Sequence, residues 1–218
     1  MKNIAIIPIR ENSKRFPGKN FYTIGDDPLF GLVGKLALKS KIFSDVYIAI
    51  EDPSKIDDYC NENGLKVFVR SASSATDDAQ TEDVLLEFVN SKFVNEKDWI
   101  TLIQATCPFQ SKKYFHKLSE EIEKDKFNSV MTRIKFKRFF IEEVLNENFI
   151  RSRTQDMEQR YLETGLFWSF KADRFIQKQN RIIRPVGFVE IESGDDADID
   201  YKNDLDLILF RLNKEINS

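Results

Sequence analysis

The run Asn3-Ile4-Ala5-Ile6-Ile7-Pro8-Ile9 is apolar at nearly every position, so a strand built from it must be covered on both faces. Two-sided burial marks a central strand of a parallel sheet; a half-exposed antiparallel strand would alternate apolar with polar. Further short runs of this kind follow at Val46–Ile50, Lys66–Val69, Trp99–Ile103 and Ser129–Arg133. Between them lie longer segments of helical period at Leu29–Ser40, Ser54–Asn63, Thr81–Phe93 and Lys112–Lys126. Ser54 is the expected N-cap of the second helix, with Gly64 just past its end. Strands alternating with helices define βαβ units, so the expected fold class is α/β, a mostly parallel sheet flanked by helices. Regular order is broken between Ile134 and Glu163, where Phe136, Phe139, Phe140 and Phe149 stand among charges without a clean period. This stretch is expected either as an excursion, a small hairpin packing on a second subunit, or as a surface loop with its aromatics folded back. Strand character resumes at Gly165–Phe170 and Val186–Glu192, and a last helix is expected over Asn203–Asn213. No repeat or low-complexity linker divides residues 1–218, which are expected to form one domain.

Composition narrows the chemistry. Thirty-three Lys and Arg against 36 Asp and Glu leave a net charge of −3, without the basic surplus of a nucleic-acid binder. Two cysteines, Cys60 and Cys107, and a single His116 cannot build a disulfide framework or a Cys/His zinc site. His116 falls in a Lys-rich helix and is expected on the surface, and both thiols are expected to be inert. Chemistry must then run on carboxylates, amines, guanidinium groups or a hard metal ion. Arg10 and Glu11 interrupt the first apolar run, and no stretch approaches the ~20 apolar residues of a membrane span. A soluble, cytoplasmic protein is expected.

In open α/β sheets, ligands bind outside the carboxyl ends of the strands, so the loops there come first. The loop after the first strand, Arg10–Asn20, holds Arg10, Lys14, Arg15 and Lys19 beside small polar residues. Dispersed positive charge with many backbone donors suits a triphosphate. The spacing is neither a P-loop nor a dinucleotide fingerprint, because Ser13 stands where the first Gly would be and Asn20 replaces Ser/Thr. A plain solvated loop is the alternative. Near the other end, residues 190–206 carry eight carboxylates and one lysine. Asp198 and Asp200 flank one apolar residue, so in an extended conformation both point the same way, as a Mg²⁺ site completed by substrate phosphates requires. Helix capping is the competing reading, and Asp204 suits it well. Gln104, ending a buried strand, could bind a sugar hydroxyl or carboxylate, or simply satisfy a loop carbonyl. Arg70 could read a base edge; an ion pair with a nearby aspartate is the plainer expectation.

Taken in order, these pieces resemble one family. Ile6-Ile7-Pro8-Ile9-Arg10-Glu11-Asn12-Ser13-Lys14-Arg15-Phe16-Pro17-Gly18-Lys19-Asn20 is similar to the N-terminal signature of the acylneuraminate cytidylyltransferases. Leu102–Pro108 resembles their Leu-Leu-Gln-Pro-Thr-Ser-Pro, and Asp198-Ile199-Asp200 with Asp204-Leu205 resembles their closing motif. Arg153-Thr154-Gln155-Asp156, Arg160-Tyr161 and Gly165-Leu166-Phe167 are similar to a further stretch, so the likeness spans essentially the whole chain. The resemblance implies a Rossmann-like nucleotidyltransferase fold with a small dimerisation excursion over residues 134–163. It implies an enzyme joining CTP to a nonulosonic acid, with Mg²⁺ as cofactor and a homodimer as assembly. Arg10, Ser13, Lys14, Lys19 and Asn20 would line the triphosphate and ribose, while Arg70, near Asp77 and Thr81, would meet the cytosine. Gln104, Thr106 and Tyr161 would contact the sugar, and Asp198 and Asp200 would hold the metal. Arg10, Lys19 and Asp200 would carry the catalytic charge. Departures fall on the sugar side: Ala105 stands for Pro, Cys107 for Ser, Gln110 for a frequent Arg and Thr164 for Asn. Lys135, Lys137 and Arg138 compete for the family's sugar-side lysine. Two other readings are a nucleotidyltransferase using another sugar acid or GTP, and a non-catalytic nucleotide-sugar binding module.

Overall fold

A computed structural model of the chain describes residues 1–11 and 13–216, with side chains through residue 212; Asn12 of the basic loop lies outside them. Seven strands form one sheet: β1 (Asn3–Pro8), β4 (Asp45–Ile50), β5 (Lys66–Val69), β6 (Trp99–Ile103), β7 (Ser129–Phe136), β8 (Arg160–Lys171) and β9 (Val186–Glu190). A two-residue pair, β2 (Thr23–Ile24) and β3 (Asp27–Pro28), forms a separate ribbon in the loop after β1. The sheet order is β5-β4-β1-β6-β8-β7-β9, and β8 alone runs antiparallel to its neighbours. The first strand is central, as its two-sided apolar run requires: Ile4, Ala5, Ile6 and Ile7 are fully buried.

Helices cover both faces. On one, α1 (Leu29–Ser40), α2 (Asp57–Glu62) and α4 (Lys112–Glu123) pack Val33, Ala37, Cys60, Phe115 and Leu118 against Ile7, Ile48 and Ile103. On the other, α3 (Thr81–Val89) and α6 (Ala172–Lys178) pack Val84, Leu85, Phe88 and Phe175 against Ile6, Ala49, Leu102 and Phe170. A short α5 (Ile141–Val144) lies in the irregular stretch, and α7 (Lys202–Ile216) docks Leu205 and Ile208 beside Leu29, Phe109 and Ile199. Among the described residues, no helix is long and apolar enough to cross a membrane.

Three local expectations are corrected. Ser54 is not a helix N-cap: Asp52 accepts from the Ser54 amide at 3.1 Å and caps a 3₁₀ turn over Pro53–Lys55, after which α2 begins at Asp57. An Asp two residues before an amide closes an Asx turn, and Pro53 starts the turn early. The last strand ends at Glu190 rather than Glu192. Residues 134–163 are neither wholly excursion nor wholly loop. Ile134, Lys135 and Phe136 pair with Leu162, Tyr161 and Arg160, so β7 and β8 run on as a two-stranded ribbon before the chain turns irregular.

α1 also shows how sequence sets the helix-to-loop spacing. A β-carbon on Gly31 would lie 2.1 Å from the Tyr59 hydroxyl, which donates to Asp27 at 2.7 Å. Gly31→Ala therefore has to displace a hydrogen-bonded ring, and we expect a loss of about 1–3 kcal/mol, read as a lower urea midpoint at unchanged m-value.

Candidate functional site

Parallel pairing of β1 with β4 and β6 brings three strand ends to one edge of the sheet, and the site is built there. Arg10 lies just past the end of β1. Ten residues on, the Asn20 side-chain amide, itself buried, donates to the Arg10 carbonyl at 3.1 Å and folds the loop back on its root. Gly18, at φ +72°, makes the turn that opens the 3₁₀ segment Lys19–Phe21; a side chain there would be held in a strained backbone conformation. The folded loop aims Lys19 inward. Its side chain is 12% exposed, and its ammonium donates to the Ile199 carbonyl at 2.7 Å and to Asp200 at 3.2 Å. Arg15 donates to the same Asp200 oxygen at 2.7 Å.

The acidic segment meets this loop because Ile199 is anchored. Its side chain is fully buried with Leu29, Phe109 and Leu205, and its amide donates to the Thr106 carbonyl at 2.9 Å. With Ile199 pointing in, Asp198 and Asp200 both reach the cleft. Asp200 is held by Arg15 and Lys19; Asp198 is exposed and has no ion pair among the described residues. Asp204 accepts from the amides of Asp200 and Tyr201 at 2.9 and 2.7 Å, so the capping role falls to it. A capping acid and two cleft acids are thus separated within seven residues.

The cleft has a volume of about 330 Å³ and is walled by Arg10, Lys19, Arg70, Gln104, Asp198 and Asp200. A second hollow of about 340 Å³ shares Arg10, Arg15, Lys19 and Asn20 and adds Ser13, Lys14 and Asp77. The two form one trench. Its floor includes the start of α3, where the Gln80 backbone amide donates to Asp83 at 2.8 Å and Gln80 and Thr81 face the cleft. That helix end adds a partial positive charge.

Arg70 is 6% exposed, and no ion pair forms around it among the described residues, contrary to the plainer expectation. Its Nε donates to the Ser74 hydroxyl at 3.3 Å, and burial pushes the guanidinium pKa down from its ordinary value. A buried guanidinium with spare donors on a cleft wall is suited to hydrogen-bonding a planar polar group. Gln104 follows β6 directly; its backbone amide donates to the Leu166 carbonyl at 3.0 Å, and its side chain faces the cleft. Gln110 meets the structural need that Gln104 might have met: its buried side-chain amide donates to the Leu166 carbonyl at 2.8 Å.

Asp77 pairs with Arg10 at 3.5 Å and Lys14 at 3.2 Å and lines the hollow around the basic loop, next to the cleft that Arg70 lines. Tyr161 is not among the residues that line the cleft of this single chain. It lies on the β7–β8 ribbon opposite Lys135, 43% exposed, with the Arg133 guanidinium 3.7 Å from its ring centroid. Thr106 lines the cleft, and its carbonyl is the anchor for Ile199. Arg15 and Gln80 are cleft residues that the sequence does not single out. In sequence Arg15 is one charge among several, and Gln80 is only the start of a capping pattern, Gln80-Thr81-Glu82-Asp83. His116 is exposed on α4, and Cys60 and Cys107 are buried, with burial pushing both thiols up.

Among the described residues, five cations and three carboxylates thus share a trench with oxygen donors and no imidazole or thiol on its walls. Comparison with known proteins gives the family. The family profile described as cytidylyltransferase matches residues 4–212, and the chain belongs to that family. It is a nucleotidyltransferase on a mostly parallel, Rossmann-like sheet. It is 28% identical over 232 residues to the pseudaminic acid cytidylyltransferase of Campylobacter jejuni subsp. jejuni serotype O:2, covering 99% of each chain. It is 31% identical over 180 residues to N-acylneuraminate cytidylyltransferase A of Danio rerio, covering 78% of this chain and 41% of that one. Among solved structures, CMP:2-keto-3-deoxy-manno-octonic acid synthetase complexed with CTP superposes with a TM-score of 0.76 at 17% identity, over 99% of this chain and all of that one. That last likeness is one of fold.

Proposed function

We propose that this chain activates a nonulosonic acid of the pseudaminic or sialic type with CTP, giving the CMP-sugar and pyrophosphate. The observation that carries the reading is the convergence of the Arg10–Asn20 loop with Asp198 and Asp200 on one cleft. Similarity along 99% of both chains to a pseudaminic acid cytidylyltransferase supports the choice of sugar class. In the reaction, the anomeric hydroxyl of the sugar acid attacks the α-phosphorus of CTP. A new P–O bond forms as the bond to the β-phosphate oxygen breaks, pyrophosphate departs, and the hydroxyl proton passes to solvent. Such a transfer depends mainly on positioning and on spreading negative charge.

This chain's residues divide that work by place. Arg10, Ser13, Lys14, Lys19 and Asn20 surround the triphosphate; Lys19 reaches deepest and neutralises charge where the leaving phosphates gather. Arg70 and Thr81 bracket the base, with Gln80 beside them. Gln104 and Thr106, just past the end of β6, bind and orient the sugar acid. Asp77 keeps Arg10 and Lys14 oriented rather than touching cytosine, a role its two ion pairs favour. Tyr161 belongs to sugar binding only if the ribbon it sits on reaches a neighbouring cleft.

The donor set also fits Mg²⁺. Among the described residues, no group of three or more His, Cys, Asp or Glu side chains could cage an ion. Two carboxylates facing a phosphate trench suit a hard cation that fills its shell with phosphate oxygens and water. Asp198 and Asp200 would hold it, and it would supply charge neutralisation across the phosphates. Phosphate chemistry of this kind draws on a nucleoside triphosphate supply, which agrees with a cytoplasmic setting; no nucleic-acid or membrane partner is implied.

We assign residues 1–218 to one nucleotidyltransferase domain, with 134–163 as the contact between two copies. Ile141, Leu145 and Ile150 there are 62, 75 and 88% exposed, large apolar side chains on one short stretch. Leu145→Asp together with Ile150→Asp should turn a dimer into a monomer in sedimentation velocity; a monomeric wild type, or an unchanged dimer, would refute this assignment.

The deciding experiment is pyrophosphate release with Mg²⁺, crossing CTP, GTP, UTP and ATP against pseudaminic, legionaminic and N-acetylneuraminic acids. Release with CTP and one of these acids is expected. GTP as the preferred nucleotide would favour the related-transferase reading, and no release from any pair would leave a binding module.

A further inference from the structure

We propose that Tyr114, acting through Asp195, is a positioning residue for the metal-binding acids, and that Arg211 shares this task. The inference rests on the reading of Asp198 and Asp200 as metal ligands and concerns what holds them in place. The chain from the end of β9 at Glu190 to the start of α7 at Lys202 has no regular structure. Side chains on such a segment lose conformational freedom on binding an ion unless the backbone is already held. It is held at two points.

The first is Tyr114 on α4, 1% exposed, whose hydroxyl crosses to the acidic segment. It donates to Asp195 at 2.5 Å and accepts from the Glu192 amide at 3.0 Å. Burial and the Asp195 carboxylate push this phenol up to about 12, so it stays a neutral donor. From the other side, Arg211 on α7 donates to the Gly194 carbonyl at 2.6 Å and pairs with Asp195. Its guanidinium lies 4.0 Å from the Phe109 ring centroid, which fixes its plane. Gly194 sits at φ +95°, and a β-carbon there would come within 3.1 Å of the Arg211 guanidinium. The second point is Ile199, tied to the Thr106 carbonyl and the Lys19 ammonium.

Only Asp196, Ala197 and Asp198 span the distance between these two anchors. Asp198 is exposed and has no ion pair of its own among the described residues, so the anchors on either side set where its carboxylate points. Groups that orient metal ligands from behind typically change metal affinity by about 10- to 100-fold when removed.

The test is Mn²⁺ binding to the protein–CTP mixture, followed by electron paramagnetic resonance, alongside CTP binding in EDTA. Tyr114→Phe deletes one hydroxyl and should weaken Mn²⁺ about 10-fold, with metal-free CTP affinity within about twofold. Asp200→Asn serves as the reference for a lost ligand. If Asp200→Asn weakens Mn²⁺ and Tyr114→Phe does not, the positioning role is overturned and the metal reading survives. If Asp200→Asn leaves Mn²⁺ binding intact, the metal reading fails and this inference with it. Equal loss of Mn²⁺ and metal-free CTP binding in Tyr114→Phe would mark a general structural role and also overturn the proposal. Should Tyr114→Phe fail to fold, Arg211→Gln, on the outer side of the same carboxylate, carries the same expectations.

Discussion

Replacing Asp200 by Ala should reduce turnover by on the order of 10³-fold while the protein remains folded. The size follows from losing several kcal/mol of charge stabilisation when a metal ligand goes, at about 1.4 kcal/mol per factor of ten. The folded state should tolerate the change. Asp200 is partly exposed; its pair with Arg15 belongs to the class worth about 0–1 kcal/mol at a surface, and the more enclosed Lys19 ammonium keeps the Ile199 carbonyl as an acceptor when the carboxylate goes. Its backbone is held independently, because the Asp200 amide donates to Asp204 and Ile199 is buried next to it. Circular dichroism and thermal unfolding close to wild type, with pyrophosphate release lost, is the expected pair of results. Near-normal release in a folded Asp200→Ala variant would refute the metal assignment.

Lys19→Met should raise the CTP concentration needed for half-maximal rate and lower kcat, together costing about 10²- to 10³-fold in kcat/KM for CTP. Met keeps much of the aliphatic stem, so the change is chiefly one of charge. The magnitude is that of one well-placed donor to developing negative charge in a partly enclosed site. Lys19 is the most buried of the loop cations whose exposure bears on this, at 12% against 54% for Arg15 and 72% for Lys14. Its effect should therefore exceed that of either neighbour. If Lys19→Met matches wild type in steady-state kinetics, the loop is a solvated surface feature and the nucleotide lies elsewhere.

Much of this architecture is legible in the sequence alone. The central strand announces itself because apolar side chains on both faces can only mean cover on both faces, and Ile4–Ile7 are buried accordingly. The basic loop and the acidic segment are equally plain, because each concentrates like charge over a short stretch, which local sequence displays directly. What joins them is not. Lys19 meets Ile199 across 180 residues, and Arg10 meets Asp77 across a shorter but equally unmarked gap. Pairings of that kind arise from strand order, which composition does not encode. Arg70 illustrates the same limit. Its charge suggests an ion pair, yet tertiary packing encloses it beside Ser74 instead. Tyr161 shows another limit: its motif position is clear, but a motif does not say that its strand runs on as a ribbon, where Tyr161 pairs with Lys135. Short-range capping is ambiguous at Ser54, where Asp52 two residues earlier captures the turn.

The separation of 180 residues between Lys19 and Ile199 also orders events in time. At about 5–20 residues per second, a ribosome takes roughly 10–35 s to proceed from the first partner to the second. Through that interval the basic loop lacks the carboxyl-terminal acids that it pairs with in the finished fold. The two can meet only once Ile199 has been made and seats among Leu29, Phe109 and Leu205, with Asp198 and Asp200 on either side of it. The trench is therefore closed last, by a stretch of chain whose place is fixed through the hydrophobic seat of Ile199.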